Sequence, residues 1–369
     1  MGARKFLTMT AIGLLLVSCK ETRREQVADF TPKAVAETYE RGIYHWKTTF
    51  EISAGDSTFL KEHNINRLYI RMFDVGMEKN EINDSLEVVP LGTTRFRSKI
   101  PEGCTVIPTV FITQEALKAY SCMEWKLADL IVTRVKAMCS WNGLGAFDEL
   151  QYDCDWTAGT RRTFEKLCEA TKKRLKEDGI LLSGTIRLHQ LEEATYPFDR
   201  GVLMMYNTGS FVNPNTKNSI LDYDDVSKYL SSEERIRRFL KARETNCLKI
   251  DIAYPTFSWG VVFDEKGAFR KLVRDVGTYS PGESEHIRIE ESDYAEIRRV
   301  KHLADSLLRP AVNGNIIYHL ETDNLKKYSY EEIENIYNQH FGSADLADAF
   351  MGVRHVGMSP KRVSAVQGL

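Results

Sequence analysis

The sequence predicts an α/β chain folded as a single closed (β/α)8, TIM-type barrel. Three observations carry this: eight short apolar stretches, amphipathic helical patterns between them, and no glycine-rich phosphate loop behind the first stretch. Parallel strands need helical crossovers, and closure removes exposed edges. The chain has 369 residues, 43% of them apolar. Such barrels take roughly 250 residues, which leaves about 100 for extensions and long loops.

Strands are expected at residues 42–46, 67–73, 105–112, 149–155, 181–189, 201–206, 248–254 and 315–321. After the fourth, Phe164, Leu167, Cys168, Thr171 and Leu175 form one helical stripe. Ile297, Val300, Leu303, Ala304 and Leu307 form another before the last strand. Ser231 to Glu234 and Ser329 to Glu332 both read as capping boxes. Insertions are expected after strands two and seven, at 76–103 and 255–291. Both leave C-terminal strand ends, where barrel loops build the working face.

Residues 1–18 read as a lipoprotein signal peptide. Arg4 and Lys5 precede thirteen apolar or small residues, too few to span a bilayer, and Leu16-Val17-Ser18-Cys19 resembles a lipobox. That resemblance implies cleavage before Cys19, acylation of Cys19 and a membrane anchor. Residues 19–41 would be the acylated cysteine and a polar tether, 42–345 the barrel, and 346–369 a C-terminal tail. Lys20-Glu21 is similar to signals for the outer face of the outer membrane, so a bacterial envelope location is expected. Charge is balanced, 50 Lys+Arg against 52 Asp+Glu, which argues against a nucleic-acid partner. The remaining cysteines, Cys104, Cys122, Cys139, Cys154, Cys168 and Cys247, have no CxxC spacing and are expected to be mostly free core thiols.

The chemistry collects at strand ends. In strand four, Gln151, Asp153 and Asp155 share one face, and Leu150, Tyr152 and Cys154 the other. The apolar face must meet helices, so both aspartates point into the barrel mouth. Two carboxylates about 6.6 Å apart along a strand repel, and one gains a raised pKa. The lesser alternative is that both pair with nearby arginines as a buried ionic plug. Neighbouring candidates are Arg71, Arg187 and His189, Asp251, and His319 with Glu321. Aromatic rings at or past strand ends (Tyr44, Trp46, Trp156, Tyr206, Tyr254, Phe257, Trp259) favour a glycan, or another small polar substrate.

Phe147-Asp148-Glu149-Leu150-Gln151-Tyr152-Asp153-Cys154-Asp155 resembles the strand-four signature of family 18 glycoside hydrolases, the chitinases and endo-β-N-acetylglucosaminidases. Asp148 and Asp153 match that signature. Gln151 replaces its middle aspartate, and Asp155 its catalytic glutamate. Met204-Met205-Tyr206-Asn207 is similar to the family's Met-x-Tyr-Asp. The resemblance implies attack by the sugar's own acetamide oxygen, with Asp155 as acid, Asp153 orienting the acetamide and Tyr206 donating to it. Asp155 is one methylene short, setting the proton donor back by about 1.3 Å, enough to cost rate heavily. Either loops seat the sugar deeper, Glu321 serves as the acid, or the barrel binds glycan without cleaving it.

No cofactor is called for. A metal hydrolase built on Asp153, Asp155 and His189 ranks lower, because the first strand ends Tyr44-His45-Trp46 without His-x-His and no HExxH occurs.

Overall fold

Eight parallel strands hydrogen-bond in a closed ring: β1 (Glu40–His45), β3 (Arg67–Lys79), β6 (Thr105–Ile112), β7 (Glu149–Asp153), β8 (Leu181–Ile186), β9 (Arg200–Met204), β10 (Lys249–Pro255) and β14 (Val312–Tyr318). Pairing of β1 with both β14 and β3 closes it. The structure is a computed structural model and describes residues 40–338 apart from 194, 247, 275 and 309–311. The expected signal peptide, Cys19, most of the tether, Cys247 and the tail at 346–369 lie outside the described residues. Glu40 and Arg41, expected in the tether, already belong to β1.

The helices lie where the periodicities put them. Phe164, Leu167, Cys168, Thr171 and Leu175 are the buried face of α4 (Arg161–Leu175), packed on α3 (Glu124–Trp141). In α7 (Tyr294–Leu308) Ile297, Val300 and Ala304 are buried. Ser329 makes its capping box with Glu332 at the start of α9 (Tyr330–Tyr337). In place of the box expected from Ser231 to Glu234 there is a single cap one residue later, where the Ser232 hydroxyl accepts from the Arg235 amide. Cys104, Cys122, Cys139, Cys154 and Cys168 are free, and burial holds Cys154 and Cys168 well above the usual thiol range.

Both insertions rise from the C-terminal rim. After β3 the chain turns back as the antiparallel strand β4 (Leu86–Leu91), and β5 (Arg95–Phe96) then pairs with β2 (Thr49–Phe50). After β10 comes a three-stranded antiparallel sheet, β12-β11-β13, formed by β11 (Ser258–Asp264), β12 (Phe269–Val273) and β13 (Glu285–Glu291). Buried Glu290 ties this sheet to the loop after β9. It accepts from the Trp259 indole at 2.7 Å, the Ser219 amide at 3.0 Å and Arg288 at 2.7 Å. Arg288 also donates to the carbonyls of Phe211, Asn213 and Pro214.

The opposite end of the barrel is shut by charge. Glu40, Arg67, Glu149 and Arg200 are the first residues of their strands. Arg200 forks onto Asp251, at 2.5 and 3.0 Å, and also reaches Glu40. Arg67 binds Glu149 at 2.5 Å and Glu40 at 3.3 Å. Burial raises the pKa of Asp251 while Arg200 opposes the rise. Asp251 was expected at the mouth. Its inward direction is right, but as the third residue of β10 it sits at the closed end, bound to the base of β9.

Candidate active site

Inside the barrel a column of rings climbs from the ionic end to the mouth. Tyr69 packs on Tyr44 with centroids 4.9 Å apart, and Tyr44 on Tyr318 at 5.5 Å. Tyr318 then stacks on Tyr206, 4.7 Å away and 25° from parallel. Gln151 accepts the Tyr44 hydroxyl at 2.8 Å, filling the interior below the carboxylates.

Asp153 ends β7 and is 4% exposed; Thr185 on β8 donates to it at 2.8 Å. Burial lifts its carboxyl to about 6; Arg187 opposes this and Asp155 adds to it. Asp155 lies two residues beyond the strand, half-exposed, with both oxygens in the fork of Arg187: Nε holds Oδ1, and Nη2 lies 3.2 Å from Oδ2. Thus the inner carboxyl is the raised one, and the outer one is an ion pair.

Two glutamines fix this arrangement. Gln114, from α2 (Gln114–Ala119), donates to the Asp155 carbonyl. Gln190 accepts from the Arg187 amide at 2.9 Å and donates to the Trp156 carbonyl at 3.1 Å. Above them Tyr206 is buried, its phenol held well above the ordinary range by burial. Tyr206 Oη and Arg187 Nη1 have no hydrogen-bond partner among the described residues. The Arg187 guanidinium lies 5.9 Å from the Tyr206 ring centre.

The mouth has two lobes that meet at Asn207. One, about 330 Å³, is lined by Asp155, Arg187, His189 and Tyr206. The other, about 350 Å³, is walled by Trp46, Phe257, Trp259 and Tyr318, with Lys47, Arg71, Arg274, His319 and Glu321 among its polar residues. Lys47 pairs with Glu321 at 3.0 Å, and Arg71 forks onto Asp74. Burial drops His319 to about 4, so its ring is neutral at pH 7.

Most expected residues therefore gather here: Asp153, Asp155, Arg71, Arg187, His189, Tyr206, His319, Glu321, Trp46 and Trp259. His189 arrives differently from the expectation, since β8 stops at Ile186 and His189 stands exposed on a short 3-10 turn. Glu321 likewise caps α8 (Thr322–Leu325) rather than ending a strand. Two aromatic candidates do not belong. Trp156 is 3% exposed and stacks on Phe164 of α4. Tyr254 is fully buried on the outer face of β10, with Lys301 of α7 over its ring at 5.8 Å.

Sequence reasoning missed Tyr318, at the centre of the ring cluster. The expected alternation gave the inward positions of strand eight to His319 and Glu321, but β14 ends at Tyr318 and the following peptide bond is cis. It also missed Lys47, Arg274, Gln114 and Gln190, which stand on loops or short helices where no period points them inward. No group of three or more His, Cys, Asp or Glu side chains is placed to hold a metal ion among the described residues.

The fold and site define a closed (β/α)8-barrel protein with an aromatic-walled, polar mouth at the C-terminal strand ends. No family model matches the chain, and no curated protein matches it. Among solved structures it is similar to the spore cortex-lytic enzyme SleL of Bacillus megaterium, at 12% identity over 81% of this chain and 75% of that one, TM-score 0.49. It is similar too to a group IV chitinase of Ostrinia furnacalis in complex with allosamidin: 11% identity, 84% of this chain, 99% of that one, TM-score 0.49. A GH18 chitinase from Pseudoalteromonas aurantia matches at 10% identity over 84% of this chain and 99% of that one, TM-score 0.43.

Proposed function

We propose that this is an envelope lipoprotein, acylated at Cys19, that binds a glycan in the barrel mouth and acts on it through Asp153 and Asp155. The observation that carries the glycan reading is the larger lobe. Trp46, Phe257, Trp259 and Tyr318 give flat faces for pyranose rings, beside charged groups able to hold hydroxyls. In the hydrolytic form of the reading, Asp153 orients the substrate, Tyr206 Oη donates to it and Asp155 supplies the proton. The Asp153 carboxyl, lifted to about 6 by burial, can hold a proton close to neutral pH while it orients the sugar. Proton delivery by Asp155 then requires Arg187 to give up one of its oxygens when sugar binds.

That same fork favours a second reading, a glycan-binding lipoprotein without turnover, in which Arg187 holds Asp155 permanently. Binding and product release from a panel of N-acetylated and plain oligosaccharides separate the two, with wild type measured beside Asp155→Asn and Arg187→Gln. Product from wild type that is lost in Asp155→Asn supports hydrolysis. Binding with no product leaves the second reading, and a panel that never binds removes both. The surface-facing location is tested by protease shaving of intact cells, which must degrade the protein.

A further inference from the structure

At the mouth Asp155 and buried Asp153 share the charge of Arg187, while on the rim Asp74 pairs with Arg71 and Glu321 with Lys47. Arg274 is left over. It stands on the loop after β12, exposed, and lines the larger lobe with no ion pair or hydrogen bond to another described residue. Its charge reaches into the lobe, where both Tyr318 and His319 feel it. His319 is neutral and adds no charge of its own to the lobe. With Lys47 held by Glu321 and Arg71 by Asp74, Arg274 is the cation that faces the lobe with its charge unspent.

A neutral sugar gains little from this arrangement. Its hydroxyls can be held by polar groups of either sign, and an uncompensated guanidinium at a concave site attracts anions. An aromatic wall with a surplus guanidinium at its edge suits a ring that carries its own negative group. Arg is the side chain best shaped for such a group, because its planar fork matches a carboxylate or sulfate.

We propose that the glycan bound here is acidic, with a uronate carboxylate or a sulfate ester seated against Arg274 in the larger lobe. This rests on the glycan reading and adds the substrate class to it. The test uses the full-length protein and two tetrasaccharides, a neutral one of N-acetylglucosamine and an acidic one alternating N-acetylhexosamine with uronate. Affinities are measured by calorimetry at low and at physiological salt. Wild type should prefer the acidic sugar by about tenfold at low salt, with the preference narrowing as salt rises. Arg274→Gln should abolish most of the preference, and Arg274→Glu should reverse it. Both substitutions are on an exposed loop, and a circular dichroism spectrum identical to wild type confirms folding. Equal affinity for the two sugars overturns the acidic assignment, and an acidic preference unchanged in both variants overturns the seat at Arg274; either result leaves glycan recognition standing. Failure of both sugars to bind overturns the two together.

Discussion

Replacing Arg200 by methionine tests whether the closed end of the barrel is held by charge. Methionine keeps much of the apolar stem and removes the guanidinium. Asp251, 1% exposed, then loses both bonds of its fork, and Glu40 loses one of its two arginines. The stranded Asp251 must stay charged in a dry interior or take up a proton. Its ordinary value is 3.8, and each unit from there to pH 7 costs about 1.4 kcal/mol, so neutralising it costs about 4 kcal/mol. That agrees with the roughly 3–5 kcal/mol lost when one partner of a buried pair is removed. The sign with pH follows from the raised folded pKa. The folded variant binds a proton that the unfolded chain has released, so its stability falls as pH rises above 3.8. Urea unfolding at pH 5 and pH 8 should show a small deficit in acid and the full one in base. Arg200→Met combined with Asp251→Leu should recover most of the loss. A deficit below about 1 kcal/mol, or one equal at both pH values, would show that the cluster is not sealed from water.

Asp153→Asn should stabilise the protein above pH 6 by up to about 3 kcal/mol, because it removes a carboxylate whose folded pKa of about 6 lies above its ordinary 3.8. The gain should vanish toward pH 4, and a lower denaturation midpoint at pH 8 contradicts the assignment. Gly314→Ala should cost about 3 kcal/mol, since a Cβ there would fall inside the Glu40 carbonyl, and backbone cannot yield as a side chain does; thermal unfolding reads it. Trp46→Ala should weaken sugar binding about tenfold with little change in melting temperature, because the ring is only half-buried. Cys19→Ala should shift the protein from the membrane to the soluble fraction of its host, read by immunoblot.

Strand number and insertion sites were legible because burial enforces period two in strands and 3.6 in helices. Height along a strand was not. Alternation assigned Asp251 its direction correctly, yet direction is the same at both ends of a barrel. The heights of Glu40, Arg67, Glu149 and Arg200 show only when their positions as first residues of strands are seen together. Tyr254 could have been refused from the sequence, since it stands three residues from Asp251 and must face the opposite way. Trp156 could not: past the end of β7 the chain has no period, and packing on Phe164 decides where the ring goes. For the carboxylates, crowding of Asp153 and Asp155 was readable, whereas the Arg187 fork goes with β8 ending at Ile186, three residues early, which puts Arg187 just past the strand.

Glu290 has a consequence for how such a mouth changes over generations. Its carboxylate is nearly inaccessible and is satisfied half by its own insertion, through Trp259 and Arg288, and half by Ser219 of a different loop. Acquiring a new 258–291 segment without residues 211–219 would strand a buried acid, a cost of about 1–3 kcal/mol or more. A chimera that takes the 258–291 segment, Glu290 included, should therefore keep its stability only when residues 211–219 travel with it.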